Sequence, residues 1–404
     1  MNNNVAINVP PRKWYHRIKV PLGVTIAVCV LPAFLIAMFF LLRMSPAAMG
    51  WASLNISAPV RGFVGMLSSL YPFSMMEVFI TAAVIGLIYY LIKTWMVTAH
   101  RRGKLKILSR RLLPVVVAIF YVWSLFCWLW TVGYHAPGFA EKNEFTGYGI
   151  TSDNLAAVTR IFAHETNRLA PLVSRDDDGR FIEERRNMFA ESLNIYQNIA
   201  KEFPDLGDRL FRPKPMVFSW LMSRTGYTGI YFALTGESMI NTRMPGALMP
   251  ATVAHEHAHQ LGVFAEDEAN FVSILACIFS NSTVFAYSGY LRGLMYLMPA
   301  LHGDDYDAWL EISLGLSEEV MRDWQDNYDF WQSQRRVETG VAFLDSILTT
   351  VTVAVSDTVD AVYDGFLRSN NQELGLMSYG ACVDLIVEYF VTRELIESWE
   401  FIVE

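Results

Sequence analysis

Three long apolar runs constrain this chain more than any other feature. The first extends from Pro21 to Leu42 without a charge, the second from Phe79 to Val97 with a single Lys93, and the third from Leu112 to Tyr134 with many Trp and Tyr residues. At roughly 20 residues each, they match the helix length that crosses a hydrocarbon layer of about 30 Å. Backbone polar groups in lipid must bond within their own segment, so such runs fold as helices. The chain is 53% hydrophobic and only 18% charged, a balance that spanning segments explain better than one large core. Ser45, Pro46, Ala47 and Ala48 follow the first run as in a signal peptide, but its apolar stretch is too long to favour that reading.

Basic residues give the expected orientation. Arg12, Lys13, Arg17 and Lys19 precede the first run, and Lys93, Arg101, Arg102, Lys104, Lys106, Arg110 and Arg111 lie around the second connection. Between the first two runs only Arg61 stands away from the edges. The excess of Lys and Arg on cytoplasmic loops places the N-terminus and the second connection inside, and everything after Tyr134 outside. The expectation is a multi-pass protein of the plasma or inner membrane, with the bilayer as a partner. A net charge of −8 argues against nucleic acid.

Residues 1–134 thus read as a membrane domain and 135–404 as one extramembrane domain. Helical periodicity dominates the second part. A helix is expected from Asp153 to Val173 with Ser152 or Asp153 as cap, and another from Ile182 to Phe203, stopped by Pro204. Asp176-Asp177-Asp178-Gly179 reads as an exposed turn, since the full calcium-loop pattern is missing. Gly229 to Leu234 is a short β-prone run, either an edge strand beside a site or an ordinary core strand. Phe271 to Met298 is expected to form a buried helix or helix pair, with a dip into the membrane as the alternative, and Gly340 to Val355 a core segment. Cys29, Cys127, Cys277 and Cys382 form no C-x-x-C pair; Cys277 and Cys382 are within reach of a disulfide reading, but small buried roles are preferred. There is no phosphate loop and no G-x-S-x-G elbow. The expected fold is mainly α: transmembrane helices followed by an α-rich domain with a small β element.

The chemistry concentrates at His255-Glu256-His257-Ala258-His259. Residues four apart lie about 40° apart on a helix, so His255 and His259 share a face and both reach one zinc ion. Glu256 stands beside the first ligand, within reach of a water whose pKa zinc lowers toward about 7, and can move its proton to a leaving amine. His257 faces the other way and reads as packing. His164-Glu165 shares the first two letters but lacks the second histidine. Pro250 suits the first helical position and Gly262 the residue past the end. A third ligand is expected from the next helix, Glu266 or Glu268. These lie about 200° apart, so only one faces the metal. Glu266 is favoured because Asn270 then follows one turn later, placed to orient a histidine. Tyr379, Tyr231 and His302 are candidates for stabilising an oxyanion, with nothing to choose among them.

The stretches Gly226-Tyr227-Thr228-Gly229-Ile230-Tyr231-Phe232, Met249-Pro250, His255 to Gly262, Glu266 to Phe271, and Ser378-Tyr379-Gly380 with Leu385-Ile386 resemble a family of bacterial multi-span membrane proteins known only as a domain of unknown function and thought of as zincin-like. The resemblance covers most of the chain after the first run. Glu266-x-x-x-Asn270 is also similar to the Glu-x-x-x-Asp helix of gluzincin peptidases, with two departures: the gap from His259 to Glu266 is much shorter, and Asn270 replaces Asp. The resulting expectation is a membrane-anchored zinc metallopeptidase acting on a peptide or protein. The alternative is a non-enzymatic membrane sensor or assembly protein with a retained zinc site, which would have no need of Glu256 beside an open position. A transporter is disfavoured by the near absence of charge in the apolar runs.

Overall fold

Each apolar run folds as a helix in the computed structural model, which describes residues 22–99, 104–207, 209–336, 342–370, 372 and 379–403. The first run is α1 (Leu22–Leu42). Two short helices follow, α2 (Pro46–Ala52) and α3 (Ala58–Ser68), joined by a π-helical turn at Ser53–Ser57. Pro59 withdraws its N–H from the ladder just there, which accounts for the wider turn. The second run is α4 (Met75–Ala99) and the third is α5 (Lys104–Leu129). Gly23–Leu42, Met75–Ala99 and Ile107–Leu129 are each long and apolar enough to cross a membrane.

The third helix stops at Leu129, short of the expected Tyr134. Trp130 to His135 form a buried 3-10 turn instead. Gly133 permits this, because a Cβ there would meet the Phe264 ring at 2.0 Å. The aromatic tail of the third run is therefore core.

The connection between the first two apolar helices joins the extramembrane body. Arg61 donates to the Leu129 carbonyl at 3.3 Å, and Ser68 to the Thr235 carbonyl at 2.8 Å. Glu237 accepts from the Met75 and Met76 amides at 3.0 Å each, capping the N-terminus of α4 where a carboxylate complements the helix dipole. Lys214 completes this junction with a 2.5 Å contact to Glu237 and bonds to the Ser68 and Phe73 carbonyls.

Beyond the turn come α6 (Phe139–Lys142) and α7 (Ser152–Leu169). The cap of α7 is Thr151, one residue earlier than expected, accepting from the Asn154 amide. The single helix expected over 182–203 is broken into α8 (Arg185–Glu191) and α9 (Ile199–Glu202). Between them Ser192 bonds back to the Phe189 carbonyl and Asn198 reaches the Phe279 carbonyl at 2.7 Å, polar side chains competing with the helical ladder. The 176–179 turn is as expected, with the Asp176 carboxylate accepting from the Asp178 and Arg180 amides and Gly179 at φ +76.

A small sheet follows: β1 (Lys214–Pro215), then α10 (Ser219–Arg224), β2 (Gly229–Phe232) and β3 (Glu237–Ile240). Its order is β1-β3-β2, with β1 parallel and β2 antiparallel to β3, Tyr231 opposite Ser238. The rest is helical: α11 (Met249–Leu261), α12 (Glu266–Ile278), α13 (Thr283–Asp304), α14 (Tyr306–Leu314), α15 (Glu318–Gln334), α16 (Ala342–Ser369), α17 (Tyr379–Thr392) and α18 (Leu395–Val403). α12 and α13 are the expected helix pair over 271–298, parted before the Ser282 cap and packed in the main core with α7, α11 and α17. Cys277 and Cys382 are free and buried. The expectation of a core segment over 340–355 also fails where its side chains are described. Gly340 lies outside the described residues, and Ile347, Leu348, Val351 and Val355 are exposed on α16. The better-covered positions on this part of α16 are Asp345, Thr349, Thr352, Val353 and Ser356, so its inward side is mostly polar.

Glu237→Ala strands the buried Lys214 ammonium and uncaps α4. We expect a loss of about 3–5 kcal/mol, seen as a melting temperature several degrees lower in detergent. An unchanged melting temperature would show that this junction does not tie the apolar helices to the body.

Candidate metal centre

Helix α11 presents the histidines, and the turn after it completes the group. Pro250 lies in its first turn, and Gly262 ends it in the left-handed region at φ +101. The reversal brings the Val263 carbonyl back onto His259 Nδ1 at 2.8 Å. A carbonyl only accepts, so Nδ1 carries a proton and Nε2 is the nitrogen turned toward Glu266. α12 then opens with Glu266, whose carboxylate lies 3.2 Å from His255 Nε2 and 3.6 Å from His259 Nε2. The two imidazoles are nearly perpendicular, with centroids 4.7 Å apart. One donor atom from each of the three residues lies within 4.8 Å of the others.

These distances are a test of fit. Two ligands each about 2.0–2.1 Å from a tetrahedral zinc ion stand about 3.3 Å apart. The two Glu266 contacts, made by different carboxylate oxygens, lie on either side of that value, all three donors fit within 4.8 Å of one another, and two nitrogens and one oxygen are a donor set that suits zinc.

Glu256 is buried on the same helix, and its Oε2 has no hydrogen-bond partner. Gly229 makes room for it, since a Cβ there would stand 2.5 Å from Oε1. Burial raises the Glu256 carboxyl to about 8; the Glu266 charge adds to this, while His259 and the Tyr231 amide oppose it. Burial would push the His259 imidazole down, but the charges of Glu266 and Glu256 raise it to about 9. Burial would likewise raise Glu266, yet the two imidazoles hold it well below the usual carboxylate range. Around His255 burial wins and lowers the imidazole.

The other residues singled out from the sequence lie elsewhere. His257 points away and pairs with Ser192 Oγ at 3.0 Å, and burial pushes it down to about 3. Glu268 accepts from the Phe139 and Ala140 amides at 2.8 and 2.9 Å, holding the start of α6. Asn270 accepts from the Tyr296 hydroxyl at 3.2 Å, and the group that orients a site histidine is the Val263 carbonyl. Tyr231 packs on Trp130 beside Arg61. The ring neighbours of His302 are Tyr306 and Trp309. Ser378 and the Tyr379 side chain lie outside the described residues.

Two neighbours of the centre had no signal in the sequence. Tyr363, on α16, donates to Glu266 Oε1 at 2.5 Å, with Tyr227 packed 6.0 Å from its ring. Trp130 lays its ring edge-on to His259 at 5.4 Å. The first is 97 residues from its partner, and the second sits at the end of a run that reads as membrane.

A family model described as a protein of unknown function (DUF3810) matches residues 53–387. The chain belongs to the DUF3810 family. The match runs from the turn before α3 into α17, so it takes in the whole candidate centre of this DUF3810 chain and two of its three apolar helices. Nothing among curated proteins or solved structures matches the chain.

Purified protein should contain about one zinc per chain, and His255→Ala should remove it; zinc retained by that variant excludes this centre. Tyr363→Phe should keep the metal but weaken its affinity by roughly 10–100-fold, as losing a partner of a ligand does, measured by competition with a chelating dye. Unchanged affinity would leave Tyr363 without a role in orienting Glu266.

Proposed function

We propose that this DUF3810 protein is a membrane-anchored zinc metallopeptidase that hydrolyses peptide bonds, with His255, His259 and Glu266 as metal ligands and Glu256 as general base. One observation carries the reading: the three donors lie within 4.8 Å of one another, while the adjacent Glu256 side chain is buried with an oxygen that has no hydrogen-bond partner. A structural metal site has no use for such a group. Zinc bound there supplies Lewis acidity, acidifying water and polarising a carbonyl.

The chain's own residues account for the remaining steps. Glu256 accepts a proton from water as the water oxygen bonds to the carbonyl carbon, and delivers it to the nitrogen as the C–N bond breaks. Its burial beside the three donors places it for that exchange. Strand β2 ends the sheet order and begins at Gly229, directly over Glu256. Its outer edge pairs with no strand among the described residues, and it offers a backbone against which an extended peptide is held as an added strand. The distribution of Lys and Arg supports a cytoplasmic N-terminus and an extracytoplasmic centre.

Glu256→Gln should retain zinc and abolish hydrolysis. The measurement is a comparison of extracytoplasmic peptides released by cells carrying wild type or Glu256→Gln, together with the metal content of both proteins. Hydrolysis surviving in a zinc-loaded Glu256→Gln protein would refute this mechanism.

A further inference from the structure

The candidate centre stands at the very end of the third apolar helix. Arg110 and Arg111 mark the basic end of α5. At about 1.5 Å per residue, the path from Leu112 to Trp130 covers about 27 Å, against a hydrocarbon thickness of about 30 Å. Trp130 is the first residue after α5, and its ring already touches His259 at 5.4 Å. No spacer lifts the centre away from the bilayer.

The elements flanking the centre carry exposed apolar side chains. Glu77, at the start of α4, accepts from the Val217 and Phe218 amides at 3.1 and 2.8 Å. This fixes α10 beside the outer end of the second apolar helix. There Val217 is 73% exposed, Trp220 51% and Leu221 47%. On the other flank, Phe366 of α16 packs 5.5 Å from Phe126 of α5, and Tyr363 reaches Glu266 one turn earlier. Exposed on α16 are Ile347, Leu348, Val351 and Val355, interspersed with Ser346, Thr350, Asp357 and Thr358. Exposed apolar side chains on elements joined to helices apolar enough to span a bilayer suit a place at its interface.

We infer that α10 and α16 lie in the outer interface of the bilayer and that the centre acts on the juxtamembrane segment of a membrane-anchored polypeptide. The substrate half of this inference rests on the peptidase reading; the bilayer placement does not. An extended chain advances about 3.3 Å per residue, so with the centre at the end of α5 a strand leaving the bilayer reaches Glu256 close to its anchor. A span in the same bilayer also raises the local concentration of the segment without any added contact.

Two measurements on the full chain in phosphatidylcholine–phosphatidylglycerol liposomes separate these points. In a Cys29→Ala background, an environment-sensitive dye is attached to Val217→Cys, Val351→Cys or Leu314→Cys, and nitroxide-labelled lipids serve as quencher. Quenching is expected at 217 and 351 and not at 314; an unquenched dye at both 217 and 351 overturns the placement, whether or not the protein cleaves anything. In the second measurement, zinc-loaded wild type and Glu256→Gln are given one randomised segment in three forms: directly after a single span, after a long Gly-Ser spacer on the same span, and as a free peptide. Wild type is expected to cut the first roughly a hundredfold faster than the free peptide, close to the span, and Glu256→Gln none. Equal rates on all three forms overturn the substrate class and leave the peptidase reading standing. No cleavage of any form by zinc-loaded wild type overturns the peptidase reading and the substrate class with it, while the quenching result still decides the placement.

Discussion

At Gly262 the backbone takes a left-handed conformation that a side chain would strain, and three consequences meet there. The helix carrying both histidines ends, its last amide bonds close back on the Ala258 and His259 carbonyls, and the Val263 carbonyl arrives at His259 Nδ1. The same reversal starts α12 soon enough for Glu266, in its first turn, to stand between two imidazoles. A longer connection would leave a buried carboxylate to be neutralised some other way, at a cost of several kcal/mol.

The junction between the apolar helices and the body is built from buried charge in place of flexible linkage. Glu237 and Glu77 each accept two backbone amides from a segment distant in sequence, Lys214 neutralises the first, and Arg61 holds the last carbonyl of α5. Breaking any one contact exposes an unpaired group in a dry setting, so the contacts favour one relative placement. In consequence α3, which as sequence belongs to the membrane half, is structurally part of the wall beside the sheet.

The centre was readable where its logic is local. The shared face of His255 and His259 follows from helical period, and the 200° between Glu266 and Glu268 lets only one of them join it; Asn270 does not decide between them, since it bonds Tyr296, and Glu268 is taken up at α6. What was not readable depends on tertiary contact. Nothing near Tyr363 announces that its hydroxyl meets Glu266. The Trp- and Tyr-rich tail of the third run has the composition of a membrane interface, and only the space left by Gly133 for Phe264 shows that the tail turns inward. The break in the 182–203 helix comes from Ser192, whose hydroxyl serves His257 across 65 residues. α16 misled for another reason: its apolar residues imply burial in a soluble protein, whereas here they mark an outer surface.

The contact between Trp130 and His259 makes α5 a ruler. A membrane anchor ordinarily tolerates a residue more or less, with tilt absorbing the difference. Here a single insertion between Arg111 and Trp130 would turn the indole by about 100° and raise it by about 1.5 Å, taking it off the imidazole it steadies. The length of this helix is therefore bound to the geometry of the centre, and it can drift only if the turn at Gly133 and the seat of Phe264 drift with it.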